Sequence, residues 1–237
     1  MPTDCQPYRV LYIAPEAPGL PALAWWEEAS KIAAISGVDL TIISRGQATT
    51  EHVAQALRRG ADLIIIAAHG APNEIILADG CSVDGVWLAT QARPGKPECV
   101  VIGACLSGVQ DYALRDFGRE LSRIGIHAVV FAVAIDDRAA GVYSVEFVRA
   151  MCAGSDVAQA DLVAGLAAKR AYPKTNLGAQ LVPALMNGYR EVLERIECLG
   201  EDLAATKQET RTQLEEVLRR LTLIEDKIGP ATRRRSS

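Results

Sequence analysis

With 237 residues, 49% of them hydrophobic and 23% charged, the chain can bury one sizeable α/β core with an appendage, and a disordered protein is excluded. A formal net charge of −4 at pH 7 gives no basis for a nucleic-acid partner, and the one basic cluster, at 233–235, reads as a solvated tail. No apolar run reaches the roughly 18 residues of a membrane span and no signal-peptide pattern opens the chain, so the sequence predicts a cytoplasmic protein with no membrane partner.

Residues 9–14 (RVLYIA) predict a first strand, ended by Pro15 and a Pro/Gly-rich loop. Helical spacing follows over 22–36, with Gly37 as its stop. Residues 38–44 (VDLTIIS) form a second strand, and Thr49 or Thr50 caps a helix that Gly60 closes after Arg59. Residues 61–68 are a third strand, ending at His69. This β-α-β-α-β rhythm implies right-handed crossovers and a parallel sheet. A short extended piece at 73–79 then turns at Asp79-Gly80, a capped helix starts at Ser82, and residues 99–104 make a fourth strand ending at Cys105. A helix over 112–124 leads to a fifth strand at 127–135. Asp136 can cap a helix at 138–152, Gly154 stops it, and another helix covers 157–169.

From Met186 the character changes. Positions 186, 189, 193, 196, 200, 203, 207, 210, 214, 217, 221, 224 and 228 keep strict 3-4 spacing, a heptad seam interrupted by Gly200, Lys207 and Thr210. Two readings stand: a helix packed on its own domain, or a coiled coil to a regulatory protein or a second copy. The unbroken stretch from Leu214 to Ile228 is the better interaction segment. The expected organisation is a domain over 1–175, a helical segment over 176–229 and a basic tail over 230–237.

The runs IIIAAHG and VVIGACLSG hold the chemistry. Each is a short β-branched run of the kind buried on both faces of a parallel sheet, and each ends in a reactive side chain followed closely by glycine. Sites in open α/β sheets form beyond the carboxyl ends of such strands. Neighbouring strands would bring the imidazole of His69 and the thiol of Cys105 to one edge. Taken singly, His69 also fits a satisfied histidine and Cys105 a packed thiol; taken together they make a base and a nucleophile. An imidazole neighbour raises the thiolate fraction of a group whose free pKa is about 8.5. Gly70 leaves its N–H unobstructed for an oxyanion. His127 opens a strand and His52 lies on a surface helix, so both are poorer bases. The other cysteines, at 5, 81, 99, 152 and 198, form no C-x-x-C pair, which disfavours zinc and suits a reducing compartment.

An apolar strand ending in His-Gly, with a later one ending in Ala-Cys-x-Ser-Gly, resembles the caspase-like cysteine peptidases, and most closely their bacterial CHAT branch. The segment ILADG at 76–80 is similar to that branch's Leu-x-Leu-x-Asp-Gly, and VAIDDRAA at 133–140 to its Trp-x-Val-x-Asp-x-Ala-Thr, with Val133 in place of Trp. The resemblance spans roughly 9–172. It implies a three-layer α/β caspase-like domain, a mostly parallel sheet flanked by helices, followed here by the long C-terminal helix or coiled coil. It also implies peptide hydrolysis of a protein substrate in regulated bacterial defence or cell death. His69 would be general base, Cys105 nucleophile, and the Gly70 and Cys105 N–H groups the oxyanion hole, with no metal or organic cofactor. Caspases proper carry Gln two residues before the Cys; Gly103 here disfavours their aspartate specificity. Asp136 and Asp137 are placed to wall an acidic pocket for Lys or Arg, or else cap a helix, with Asp111 a more distant candidate.

Overall fold

The computed structural model of the protein describes residues 6–20, 23, 25–71, 74–106, 113–131, 137–175, 179–182, 184, 207–208, 211–213 and 215. The chain divides into two compact units, Met1–Met186 and Asn187–Ser237.

In the first unit the strands are β1 (Tyr8–Pro15), β2 (Val38–Arg45), β3 (Leu63–Ala71), β4 (Glu74–Ile76), β5 (Ser82–Val83), β6 (Cys99–Leu106), β7 (His127–Phe131) and β8 (Ala179–Val182). The helices are α1 (Trp25–Ala33), α2 (Thr50–Arg59), α3 (Gly85–Ala92), α4 (Ala113–Arg123), α5 (Asp137–Cys152) and α6 (Val157–Ala171). The main sheet runs β2-β1-β3-β6-β7-β8, parallel as far as β7 and closed by an antiparallel β8. The β4–β5 pair extends the carboxyl end of β3 as an antiparallel flap.

Strand alternation divides the core into two layers. On one face Leu11, Ile13, Ile64, Ile66, Val100, Ile102, Ala128 and Val130 meet Val53 and Leu57 of α2, Leu88 and Ala92 of α3, and Phe117 and Leu121 of α4. On the other face Val10, Tyr12, Leu63, Ile65, Cys99, Val101, Val129 and Phe131 meet Trp25, Ala29 and Ile32 of α1, Tyr143 and Phe147 of α5, and Ala160 and Ala164 of α6. The Tyr143 hydroxyl donates to Asp161, tying α5 to α6. The predicted α/β sandwich with a mostly parallel sheet is therefore present, with helices on both faces.

Three details differ from the sequence reading. The helix expected from Ser82 starts at Gly85: Ser82 pairs in the flap, and the Asp84 carboxylate caps by accepting from the Trp87 N–H at 2.7 Å. The fourth strand continues through Cys105 to Leu106. β8 went unpredicted, since its four residues carry no period that separates them from a loop. In the second unit the described residues 207–208, 211–213 and 215 are helical, and the rest of the expected seam lies outside the described residues.

Candidate active site

The parallel ladder between β3 and β6 runs in register from Leu63 with Cys99 to Gly70 with Leu106, and it sets His69 directly beside Cys105. These two strands stand at the middle of the sheet. Neighbouring strands lie about 4.8 Å apart, so the two reactive residues share one level of one sheet edge. Gly70 belongs to the last pair of the β3–β6 ladder and is also paired on its other side with Ile75 of the flap.

Parity sharpens this placement. Leu63 and Ile65 of β3 and Cys99 and Val101 of β6 belong to the core layer under α1, α5 and α6, and Ala67 packs against it. Positions 69 and 105 continue those two odd-numbered series. His69 is half-buried.

The other histidines are held away from this edge. The His127 Nδ1 accepts the Ala184 N–H at 3.1 Å, and the register of His127 with Cys99 puts it at the amino end of the strands. His52 lies on α2, its Nδ1 3.0 Å from the carbonyl oxygen of Gln47 ahead of the helix. Among the other thiols, Cys99 is fully buried and Cys152 partly so, and burial pushes both pKa values up. Neither is a competing nucleophile.

Below the His69–Cys105 level lies a cavity of about 40 Å³. Its walls include Ala67 and Gly103, the in-register pair two residues before the reactive one, with Trp25 and Glu28 from α1 and Asp137 and Ser144 from α5. Asp137 is exposed at the first turn of α5, while Asp136 and Asp111 lie outside the described residues. Glu28 was not foreseen. Its carboxyl is enclosed although the residue as a whole is only half-buried, and that burial pushes its pKa up from 4.5 to about 7. The nearby Ser144 and Tyr12 hydroxyls and Lys31 act against the rise, and the charge of Asp137 adds to it. Among the described residues no group of three or more His, Cys, Asp or Glu side chains is placed to hold a metal ion. Nor is any helix among them long and apolar enough to cross a membrane.

The family model for the CHAT domain matches residues 15–171. Among solved structures, the Arg-specific cysteine proteinase gingipain R is similar, with a TM-score of 0.56 and 14% identity, a likeness of fold. It covers 76% of this chain but 48% of its own, so the chain spans about half the gingipain length. Pyridoxal kinase from Lactobacillus plantarum aligns over 80% of this chain and 98% of its own at a TM-score of 0.35 and 9% identity, too distant to carry an argument. No curated protein sequence matches.

Proposed function

Because the chain belongs to the CHAT-domain family, with residues 15–171 matched, we propose that it is an intracellular caspase-like cysteine endopeptidase. The observation that carries this reading is the register of His69 with Cys105 at the carboxyl end of the central strand pair. A nucleophile and a base on the same level of adjacent parallel strands need no induced rearrangement of the backbone to act together.

In the proposed cycle His69 takes the Cys105 proton, and the thiolate attacks the scissile carbonyl carbon. The resulting oxyanion is held by the Gly70 and Cys105 N–H groups, where charge develops that was absent in the ground state. Collapse breaks the C–N bond, and the His69 imidazolium protonates the departing amine. The thioester that remains is attacked by a water whose proton passes to His69, releasing the new carboxylate and restoring the thiol. No step in this cycle draws on a metal or an organic cofactor. Regulated bacterial defence or cell death is the setting that the family resemblance favours, with a protein as substrate and the C-terminal segment as the site of a regulatory or self-associating contact.

The test is cleavage of a proteome-derived peptide library by the full chain. Cys105→Ala is expected to abolish cleavage and His69→Ala to lower it by roughly 10²–10⁴-fold, both with unchanged circular dichroism. Full cleavage by the Cys105→Ala protein would overturn the mechanism. If no peptide is cut and both substitutions leave the cellular phenotype intact, the chain is a catalytically silent scaffold that works through its C-terminal helix.

A further inference from the structure

β2 forms one edge of the sheet. Among the described residues it pairs with β1 alone, without a break from Val38 to Arg45. Natural edges are kept from pairing further by being short or by carrying proline, bulges or central charges. The opposite edge, β8, is four residues long. β2 has eight, and its centre from Leu40 to Ser44 reads LTIIS, with no proline, no charge and no bulge in the ladder. Leu40, Ile42 and Ile43 are each only partly covered there.

The backbone fixes which groups of this edge face outward. The Tyr8 N–H donates to the Gly37 carbonyl oxygen at 2.8 Å, so that carbonyl points toward β1. A trans peptide turns the next N–H the opposite way, and the Val38 N–H accordingly donates to the Ile35 carbonyl oxygen at 3.2 Å. Strand alternation then aims the N–H and C=O groups of Leu40, Ile42 and Ser44 away from the sheet. The Ser44 carbonyl oxygen accepts the Gln47 N–H at 3.1 Å, whereas the groups of Leu40 and Ile42 have no backbone partner among the described residues. An edge with its central donors and acceptors open is a template for another strand.

We propose that β2 is a docking edge for a second copy of this chain, the two β2 strands pairing antiparallel about a two-fold axis at Ile42. Ile42 then exchanges N–H···O=C bonds with the partner's Ile42, and the Ser44 N–H donates to the carbonyl oxygen of the partner's Leu40. Charge selects this register. Asp39, exposed, comes opposite the partner's Arg45 on the same face, and the symmetry repeats the pair. An axis at Thr41 would set Asp39 against the partner's Ile43, and an axis at Ile43 would leave it beyond the end of the partner's strand. Within one copy Arg45 faces Glu16 at 3.5 Å, an exposed pair of little worth that the new contact can replace. A groove of about 530 Å³ separates Asp39, Thr41 and Ile43 from Gln55 and Ala56 of α2, leaving room on this face for the incoming side chains. Arg9, which also lines the groove, is held by Asp62 at 2.8 Å. A pairing this short is weak alone and gains from any further contact that gathers two copies. β1 stands between this edge and β3, so the proposal does not depend on peptide cleavage by His69 and Cys105.

Disulfide trapping in the full chain tests both the contact and its register. At the axis the two Cα atoms of position 42 lie about 5.5 Å apart, within the span that a disulfide bridges, whereas those of position 43 are displaced by two residues along the strands. Under mild oxidation Ile42→Cys is expected to link two copies through position 42, identified by peptide mapping, at least tenfold faster than Ile43→Cys links through position 43. Adding Asp39→Arg to the Ile42→Cys chain should slow the link at least tenfold by opposing two arginines. Adding Arg45→Asp as well should restore it, since the swapped charges again attract; that recovery separates a lost contact from a lost fold. Equal linking at positions 42 and 43 would mean random collision and overturn the proposal. So would a chain that never links at position 42, or a link there that charge reversal leaves unchanged.

Discussion

Glu28 sits where an apolar residue would be expected. The buried residues of α1 are Trp25, Ala29 and Ile32, and position 28, three after the first and four before the last, falls on the same helical stripe. An ionisable group there should leave a mark on stability. Its pKa in the folded protein is raised to about 7, so between about pH 4.5 and 7 the folded state binds more protons than the unfolded state. Stability contributed by the neutral carboxyl is thus present at low pH, is lost as pH rises through that window, and stays lost above it. Tyr12 from β1, Asp137 and Ser144 from α5 and Lys31 on α1 itself are the groups that modulate this. The full cost of ionising Glu28 is on the order of 3 kcal/mol at most. Glu28→Gln is therefore expected to raise the thermal midpoint by several degrees at pH 8 and to change little at pH 4, measured by calorimetry across pH. An identical shift at both pH values would show that Glu28 ionises no differently in the folded state. The thiols offer a second check at this scale. Iodoacetamide near neutral pH should modify Cys105 ahead of Cys99 and Cys152, whose pKa values burial pushes up, as read by peptide mapping over time.

Among the elements, β8 shows how the sheet is finished. Its pairing with β7 brings Val182 against Gly118 of α4, so close that a Cβ at 118 would lie 2.7 Å from the Val182 Cγ2 and 3.2 Å from its Cβ. Alanine at 118 would gain up to about 1 kcal/mol of helix propensity. The clash falls on a β-branched side chain with little rotamer freedom, and overpacking of this kind costs about 1–3 kcal/mol. Gly118→Ala should accordingly destabilise the protein in urea unfolding, and Val182→Ala in the same chain should recover most of the loss. Additive losses in the double variant would mean that the two residues do not meet. This contact also marks the limit of what was legible beforehand. β1, β2, β3 and β6 announce themselves as β-branched runs bounded by Gly or Pro, and β3 and β6 end in chemically conspicuous residues, so the candidates His69, Cys105 and Gly70 can be proposed from sequence order alone. β8 is short and defined only by its partner. Ser82 and Asp84 are both competent caps, and the choice between them is made by β4, which pairs Ser82 into the flap. Glu28 broke the apolar stripe of α1 in plain view, but its meaning depends on α1 packing beside α5, which lies more than a hundred residues further along the chain.

At the scale of the whole molecule, His69 and Cys105 stand on the two middle strands of the first unit's sheet, and a peptidase of the kind proposed needs a control that acts on that unit. The Asn187–Ser237 unit carries the heptad seam, and its described residues Lys207, Gln208, Arg211, Thr212, Gln213 and Glu215 are helical and exposed. Arg211 pairs with Glu215 at 3.1 Å, one turn along, and the Thr212 hydroxyl donates to the Gln208 carbonyl oxygen at 3.0 Å, local contacts of a solvated helical surface. Of these residues only Lys207 occupies a seam position; the others lie off the seam and leave it free of their charges. The apolar seam positions 214, 217, 221, 224 and 228 recur over two heptads, short for a stable pair of helices on their own. Association through them should therefore be reversible and concentration-dependent. Sedimentation equilibrium of the full chain is expected to show a monomer–dimer exchange, and Val217→Glu with Leu221→Glu should shift it to monomer by placing four carboxylates in the seam of the pair. The same double variant should cleave the peptide library with unchanged rate per molecule if association only localises the proposed peptidase, and with a lower rate if pairing activates it. A full chain that stays monomeric at every concentration would remove self-association, and the seam would then be tested by whether the double variant loses proteins captured by the Cys105→Ala chain.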